Sequence, residues 1–294
     1  MVWVPLLQFP IEWAALALLV VACLYWERSG FSGLGVEGCV ASAMLGILLG
    51  YEWTGDYWLS CLIAAGAAAA FAILCGTLVH LFRADPAVGS FALSLVPASA
   101  LGLLARTADL RLFHESPPPG LITGTIFDGT YAEDLIANPW LLATPILIAL
   151  AGWLLWHTPF GIRIRAFGEN PGWRVPRSRP TALRLTALAL GALWTVPAAA
   201  LLLRAHPTAP PIALGYLALA CAIASRWTVW GGILLAAGPA LLRSARPFGT
   251  GFQSGFVVLD VAPFILALLY LVFLSRRSLR LAASPQARVD PDVL

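Results

Sequence analysis

The side chains that act as nucleophiles, metal ligands or redox centres are few in this chain and far apart in its sequence. The five cysteines lie in apolar stretches and form no Cys-x-x-Cys pair, so we expect small buried hydrophobic residues. The four histidines lack metal-ligand spacing. The sequence has no P-loop, no Gly-x-Ser-x-Gly elbow and no His-Glu-x-x-His motif. These observations predict a non-catalytic protein with no metal and no cofactor.

Two acidic residues, Glu37 and Asp260, lie inside apolar stretches. A charged group at membrane depth is costly, and it usually pairs with another group or lines a cavity. Glu37 therefore has two explanations: it faces a transport path, or it lies near a helix N-terminus, where the helix dipole favours an acid. Asp260, followed by Pro263, is expected to form a hydrogen bond inside a helix bundle or to contact a solute directly. Both are candidate polar residues of a path or of the bundle interior.

A polar, arginine-bearing stretch, Thr158 to Pro171, separates two long apolar runs. Its glycines and arginines predict a basic, flexible segment, and Asn170 with Pro171 predicts a helix start. Such a stretch is typical either of a plain cytoplasmic loop or of a surface on which a partner acts. The residues of that candidate surface are Gly161, Arg163, Arg165, Gly168, Glu169, Asn170 and Pro171.

The composition indicates that lipid, not water, surrounds most of the chain. Of the 294 residues, 60% are hydrophobic and only 11% are charged, whereas a soluble domain has about 25% charged residues. The net charge of +3 is carried by arginines that are not interleaved with aromatic residues, so we expect no nucleic-acid partner.

Long apolar runs predict an all-α polytopic membrane protein with about 8–10 transmembrane helices, forming one transmembrane domain over residues 1–294. A span needs roughly 20 apolar residues, and only helices or closed barrels satisfy the backbone in hydrocarbon. The second, seventh and eighth segments are short and are expected to be re-entrant or broken helices. The nine segments are 11–26, 36–50, 57–82, 88–105, 139–157, 183–204, 212–225, 227–242 and 256–275.

The arginines predict the orientation of these segments. If residues 158–182 face the cytoplasm, 13 of the 18 basic residues lie on that side and 18 − 13 = 5 lie outside, as the positive-inside rule requires. The N-terminus is then outside and the tail, residues 276–294, is cytoplasmic. Residues 107–138 form an external loop. Arg243 and Arg246 fit this orientation least well, because they fall on the outer side.

Three stretches, in order, resemble the permease subunits of bacterial ABC importers of the branched-chain amino acid, simple-sugar and nucleoside family. ERSGFSGLGVEG, residues 27–38, is similar to the signature after the first helix of that family. FGIRIRAFGENP, residues 160–171, resembles its cytoplasmic FG-x-x-x-RA-x-GENP stretch, and GYLALACAIASRW, residues 215–227, resembles a third conserved segment. The first signature is typical of the nucleoside and simple-sugar branch.

The resemblance implies a multi-pass protein of the bacterial inner membrane that forms half of a path for a small polar solute. It implies a second related permease, so that a heterodimer is expected, two ATP-binding cassette subunits on the cytoplasmic side and an external substrate-binding lipoprotein. Residues 158–182 would be the cytoplasmic coupling loop. Within it, Gly168 to Pro171 would begin the coupling helix, and Pro176 and Pro180 require that helix to be short or rebuilt, because proline disrupts a helix interior.

Two other classes of protein account for the sequence less well. An ion-coupled secondary transporter would use intramembrane acids and related halves, but Glu37 and Asp260 are its only support and no internal repeat is visible. A membrane enzyme acting on lipid would need a polar catalytic cluster at one membrane face, and none is visible in the sequence.

Overall fold

The computed structural model describes residues 4–107, 138–169, 180–206, 213–244 and 257–275. Within these ranges the regular structure is helical, with eleven α-helices and a short 3₁₀ turn, Gly33–Gly35. In chain order the helices are α1 Val4–Arg28, α2 Val36–Thr54, α3 Tyr57–Leu81, α4 Pro86–Thr107, α5 Pro139–His157, α6 Pro159–Glu169, α7 Pro180–Leu193, α8 Thr195–Ala205, α9 Leu214–Ala224, α10 Val229–Ser244 and α11 Val257–Ser275.

The all-α polytopic membrane architecture predicted from the apolar runs is confirmed. Six helical stretches in the described residues are long and apolar enough to cross a membrane: Gln8–Arg28, Gly33–Thr54, Tyr57–Leu81, Pro86–Leu104, Pro139–His157 and Thr181–Ala205. The second predicted segment is among them. The seventh and eighth correspond to short helices, of which α9 has only 11 residues and is about 16 Å long, half of the hydrocarbon thickness.

Helix α1 is the centre of the bundle. Every residue from Ala15 to Trp26 is at most 1% exposed, as expected for a helix that is apolar on all sides. Helices α5 to α10 all contact it. In contrast, α3, α4 and α5 present large exposed hydrophobic side chains such as Leu62, Val96 and Ile146. These outer faces are therefore available to lipid or to another subunit.

The predicted segment 183–204 is divided into α7 and α8 at Trp194. Pro197 explains the division, because a proline has no N–H to donate and its ring displaces the carbonyl four residues earlier, that of Leu193. The buried Thr195 stabilises the junction by donating from its Oγ1 to the carbonyl of Ala192 at 2.6 Å. Together the two helices still form one apolar stretch of 25 residues.

The structure describes only the two ends of the predicted external loop. Thr107 ends α4 and Asn138 caps α5 by accepting from the backbone N–H of Trp140 at 3.0 Å. Residues 108–137 between them, and the tail 276–294, lie outside the described residues.

Candidate coupling site and buried charges

Residues 159–169 form helix α6, so the prediction of a flexible segment is wrong for this stretch. The helix starts because Thr158 precedes Pro159: the Oγ1 of Thr158 accepts from the backbone N–H of Gly161 at 3.2 Å, and proline suits the first helical position. One face of α6 is buried, with Ile164 at 1% exposure, while Ile162 and Arg163 are exposed. The packed face of this amphipathic helix thus carries Gly161, Ile164, Arg165 and Gly168, whereas Arg163 lies on the exposed face.

Gly168 permits α6 to touch the end of α1. A Cβ at this position would lie 2.2 Å from the carbonyl oxygen of Arg28 and 2.9 Å from the backbone nitrogen of Gly30. Gly30 itself has a φ of +78°, a conformation that favours glycine. A backbone-to-backbone contact therefore joins α6 to the turn that follows α1, and only a residue without a side chain fits there.

The middle of α6 is held by two arginines that lie over one aromatic ring. The guanidinium of Arg165 lies 4.2 Å from the ring centre of Trp156, and its Nη2 donates to the Trp156 carbonyl at 3.3 Å. Arg28 lies 5.4 Å from the same ring, and its Nη2 donates to the carbonyl of Trp227 at 3.4 Å. Cation–π contacts of this kind are favourable. A displacement of α6 would therefore reach α1, α5 and the turn before α10.

The remaining residues of the predicted coupling surface are Glu169, Asn170 and Pro171. Glu169 is the last residue of α6, but its side chain is outside the described part of the chain. Asn170 and Pro171 lie outside the described residues altogether, as does the proline-containing stretch that follows them.

Glu37 lies in the first turn of α2 and is 2% exposed. Its carboxylate accepts from the backbone N–H of Ala213 at 2.6 Å and from that of Gly215 at 2.7 Å. These groups begin α9, so the carboxylate caps a helix other than its own, where unpaired N–H groups and the helix dipole favour an anion. The two explanations given for Glu37 remain predictions, but the capping contacts supply the partners that a buried acid requires.

The three stretches that resemble the ABC permeases meet in space. Gly215 of the third stretch packs so closely on the first that a Cβ would lie 2.6 Å from the backbone nitrogen of Glu37. Glu27 closes the turn within the first stretch by accepting from the backbone N–H of Gly33 at 2.9 Å. The second stretch joins through Gly168. Their small and acidic residues thus hold three distant parts of the chain at one place.

Asp260 belongs to α11, but its side chain is outside the described part of the chain. Its roles as a bundle hydrogen-bond partner or a solute contact remain predictions.

A cluster that the sequence did not reveal joins α1, α8 and α10. The carboxylate of Glu12 accepts from the Nε of Arg243 at 3.0 Å and also contacts the Nε2 of His206. Glu12 is 1% exposed and Arg243 is 3% exposed. Glu12 lies 194 positions from His206 and 231 from Arg243, so no spacing pattern could have indicated the cluster. Only the awkward place of Arg243 in the predicted topology pointed to it.

Comparison with known proteins identifies the same class of protein as the three sequence stretches do. Residues 7–174 match the family of the branched-chain amino acid transport system, permease component. The guanosine ABC transporter permease protein NupQ of Bacillus subtilis is 28% identical over 247 residues, covering 75% of this chain and 74% of the relative. The nucleoside ABC transporter permease protein NupC of Lactococcus lactis is 29% identical over 169 residues, half of each chain. No solved structure matches the chain.

The chain belongs to the branched-chain amino acid transport system permease family. It is a non-catalytic, multi-pass subunit of an ABC transporter in the inner membrane, and it works with an ATPase and a substrate-binding partner. This membership decides against the ion-coupled transporter, because ATP hydrolysis by a separate subunit drives a permease of this class.

Proposed function

We propose that this chain forms half of the inward path for a nucleoside, together with a second, related permease in a heterodimer. The proposal is supported by the names of the two relatives, one for guanosine and one for nucleosides. It is also supported by the first signature, residues 27–38, which resembles the nucleoside and simple-sugar branch. An external lipoprotein would deliver the nucleoside to the pair.

The observation that carries the mechanism is the attachment of α6 to α1. ATP binding would close the two ATPase subunits and move the coupling loop, residues 158–182. Gly168 on the backbone of Arg28, and Arg165 on Trp156, would pass that movement to the central helix. Because α1 contacts most of the bundle, it would tilt with its neighbours as a rigid body and change the accessible side of the path.

In this proposal the N-terminus is outside and the C-terminus is cytoplasmic. The arginine count supports the orientation. Arg243, one of the two arginines that fit it least well, is buried in an ion pair with Glu12. Residues 107–138 would then be the external loop, and 276–294 the cytoplasmic tail.

The coupling role is tested by replacing Glu169 with Ala, or by deleting residues 170–176, in the assembled transporter. We expect either change to abolish substrate-stimulated ATP hydrolysis and uptake, while the chain still inserts in the membrane. Glu52→Ala is the matched control, because Glu52 is an exposed acid at the far end of α2. Normal uptake in both coupling variants would show that the coupling surface is placed wrongly.

The substrate class is tested separately by uptake of radiolabelled guanosine into cells with and without this chain. Excess unlabelled nucleoside should suppress the uptake, and excess ribose should not. Suppression by ribose alone would assign the chain to a sugar transporter and would leave the coupling mechanism intact.

A further inference from the structure

A groove of about 410 Å³ lies between the second half of α5 and the start of α10. Its floor is apolar and includes Ile148, Gly152 and Val229. A Cβ on Gly152 would meet only the Cγ1 of Val229, at 4.0 Å. The glycine therefore leaves space instead of permitting a close helix contact, and the space has the size of sites that hold one small molecule.

The mouth of the groove has the composition of a membrane boundary. Trp153 and Trp230 line it and are 55% and 68% exposed, and tryptophan is enriched where a membrane meets water. The polar lining residues, His157 and Thr228, lie where α5 ends and just before α10 begins. The groove thus runs from the boundary into the hydrocarbon layer.

An exposed arginine lies close in the chain to the polar end of the groove, just outside the residues that line it. Arg226 is exposed two residues before Thr228, in a turn that holds it at a φ of +57°. The hydroxyl of Thr228 already donates to the carbonyl of Ser225 at 2.8 Å, so Arg226 and His157 supply the donors for an anion. Among the described residues that line the groove there is no acid.

We propose that this groove binds one anionic phospholipid from the surrounding membrane. The apolar floor would accept part of an acyl chain, and the phosphate would lie near Arg226 and His157. Basic pockets between transmembrane helices bind anionic headgroups in this manner. A single lipid suits the groove better than a protein partner does. In a lipid the phosphate is followed by the acyl chain, and the cationic end of the groove is followed by its apolar floor in the same order.

Bound lipid would act on the coupling region. Trp156 lines the groove with one part of its surface and receives Arg165 and Arg28 on its ring. An acyl chain beside this tryptophan would hold the ring in place and would thereby support the contact of α6 with α1.

The test is native mass spectrometry of the full chain in mild detergent, titrated with phosphatidylglycerol and, separately, with phosphatidylethanolamine. Gly152→Leu fills the groove, and displacing about two methylenes weakens retention about tenfold. Arg226→Gln removes the charge and weakens phosphatidylglycerol about fivefold, but not phosphatidylethanolamine. Both variants should elute as folded protein.

Matched controls exist elsewhere in the chain. Gly66→Leu places the same side chain on an exposed face of α3, where a Cβ meets nothing within 4 Å. Arg83→Gln removes an exposed arginine with a φ of +49°. Neither should change retention. Equal retention by wild type and Gly152→Leu, equal loss of both lipids in Arg226→Gln, or binding of inorganic phosphate in place of lipid would each overturn the proposal.

Discussion

Glu12 and Arg243 form an ion pair inside the helix bundle. Both are almost completely buried, and His206 contacts the same carboxylate. Removing one partner of such a pair leaves a charge without compensation, whereas replacing both by apolar residues is often neutral. The ion pair and His206 together therefore hold the start of α1 against the ends of α8 and α10.

Glu12→Gln should lower the free energy of unfolding by about 3–5 kcal/mol, because the guanidinium of Arg243 stays buried. The measurement is the thermal midpoint of the detergent-solubilised chain. The double variant Glu12→Leu with Arg243→Met should recover most of the loss, and the exposed control Glu52→Gln should show none. A Glu12→Gln protein with the thermal midpoint of the wild type would show that this ion pair does not stabilise the fold.

Glu37 acts through the helix that it caps. Glu37→Ala leaves the N–H groups of Ala213, which is half-buried, and of Gly215, which is buried, without an acceptor. The free energy of unfolding should fall by about 1–3 kcal/mol for the N–H of Gly215 and by less for that of Ala213. Glu37→Gln retains one acceptor and should fall between wild type and Ala. Thermal midpoints of the three proteins give the order directly. Equal thermal midpoints for Glu37→Gln and Glu37→Ala would mean that the negative charge of Glu37, and not its capacity to accept hydrogen bonds, stabilises the fold.

The sequence could place these acids but not their partners. The cost of charge in lipid predicts that Glu37 must have a partner, whereas the partner itself comes from a helix that begins at Leu214. The sequence gives no sign of the role of Glu12, because an acid near the start of an apolar run has an ordinary place at the membrane boundary. Contacts across more than 170 positions depend on packing, which local patterns do not contain.

At the scale of elements, α6 is the part that sequence patterns described wrongly. Two glycines and two arginines in a polar stretch predict a flexible segment on propensity alone. Packing overrides that propensity, because Gly161 and Gly168 let the helix approach the ends of α5 and α1. The long apolar helices, in contrast, were predictable, since hydropathy and length alone define a span.

Gly168→Val should uncouple α6 from α1. A Cβ there meets a backbone carbonyl at 2.2 Å, so the helix must move away, and uptake should fall by more than about tenfold when a positioning contact of this kind is lost. Basal ATP hydrolysis by the assembled transporter should remain, since the chain supplies no catalytic group. Gly66→Val, on an open face of α3, is the control.

Uptake at wild-type rates in Gly168→Val would mean that α6 does not carry movement to α1. Uptake at the wild-type rate in Arg165→Gln would likewise mean that the cation–π contact of Arg165 with Trp156 does not carry the movement. Loss of both uptake and membrane insertion would instead indicate a folding defect, and Arg165→Gln, which removes a contact without adding a Cβ clash, then separates the two effects.

At the scale of the whole molecule, the distribution of buried residues fits half of a larger assembly. Its central helix is enclosed, while α3, α4 and α5 leave apolar faces uncovered. Lipid can cover such faces, and so can a second permease. The fold alone does not favour either, and membership of the ABC permease family supplies the reason to expect a partner.

The most direct test of the account is recovery of the tagged chain from its native membrane in mild detergent, followed by mass spectrometry of the proteins that accompany it. The account predicts an ATP-binding cassette subunit and a second multi-span permease. Deletion of residues 170–176 should weaken recovery of the ATPase subunit and leave recovery of the second permease unchanged. Repeated recovery of the chain without an ATPase subunit would contradict it.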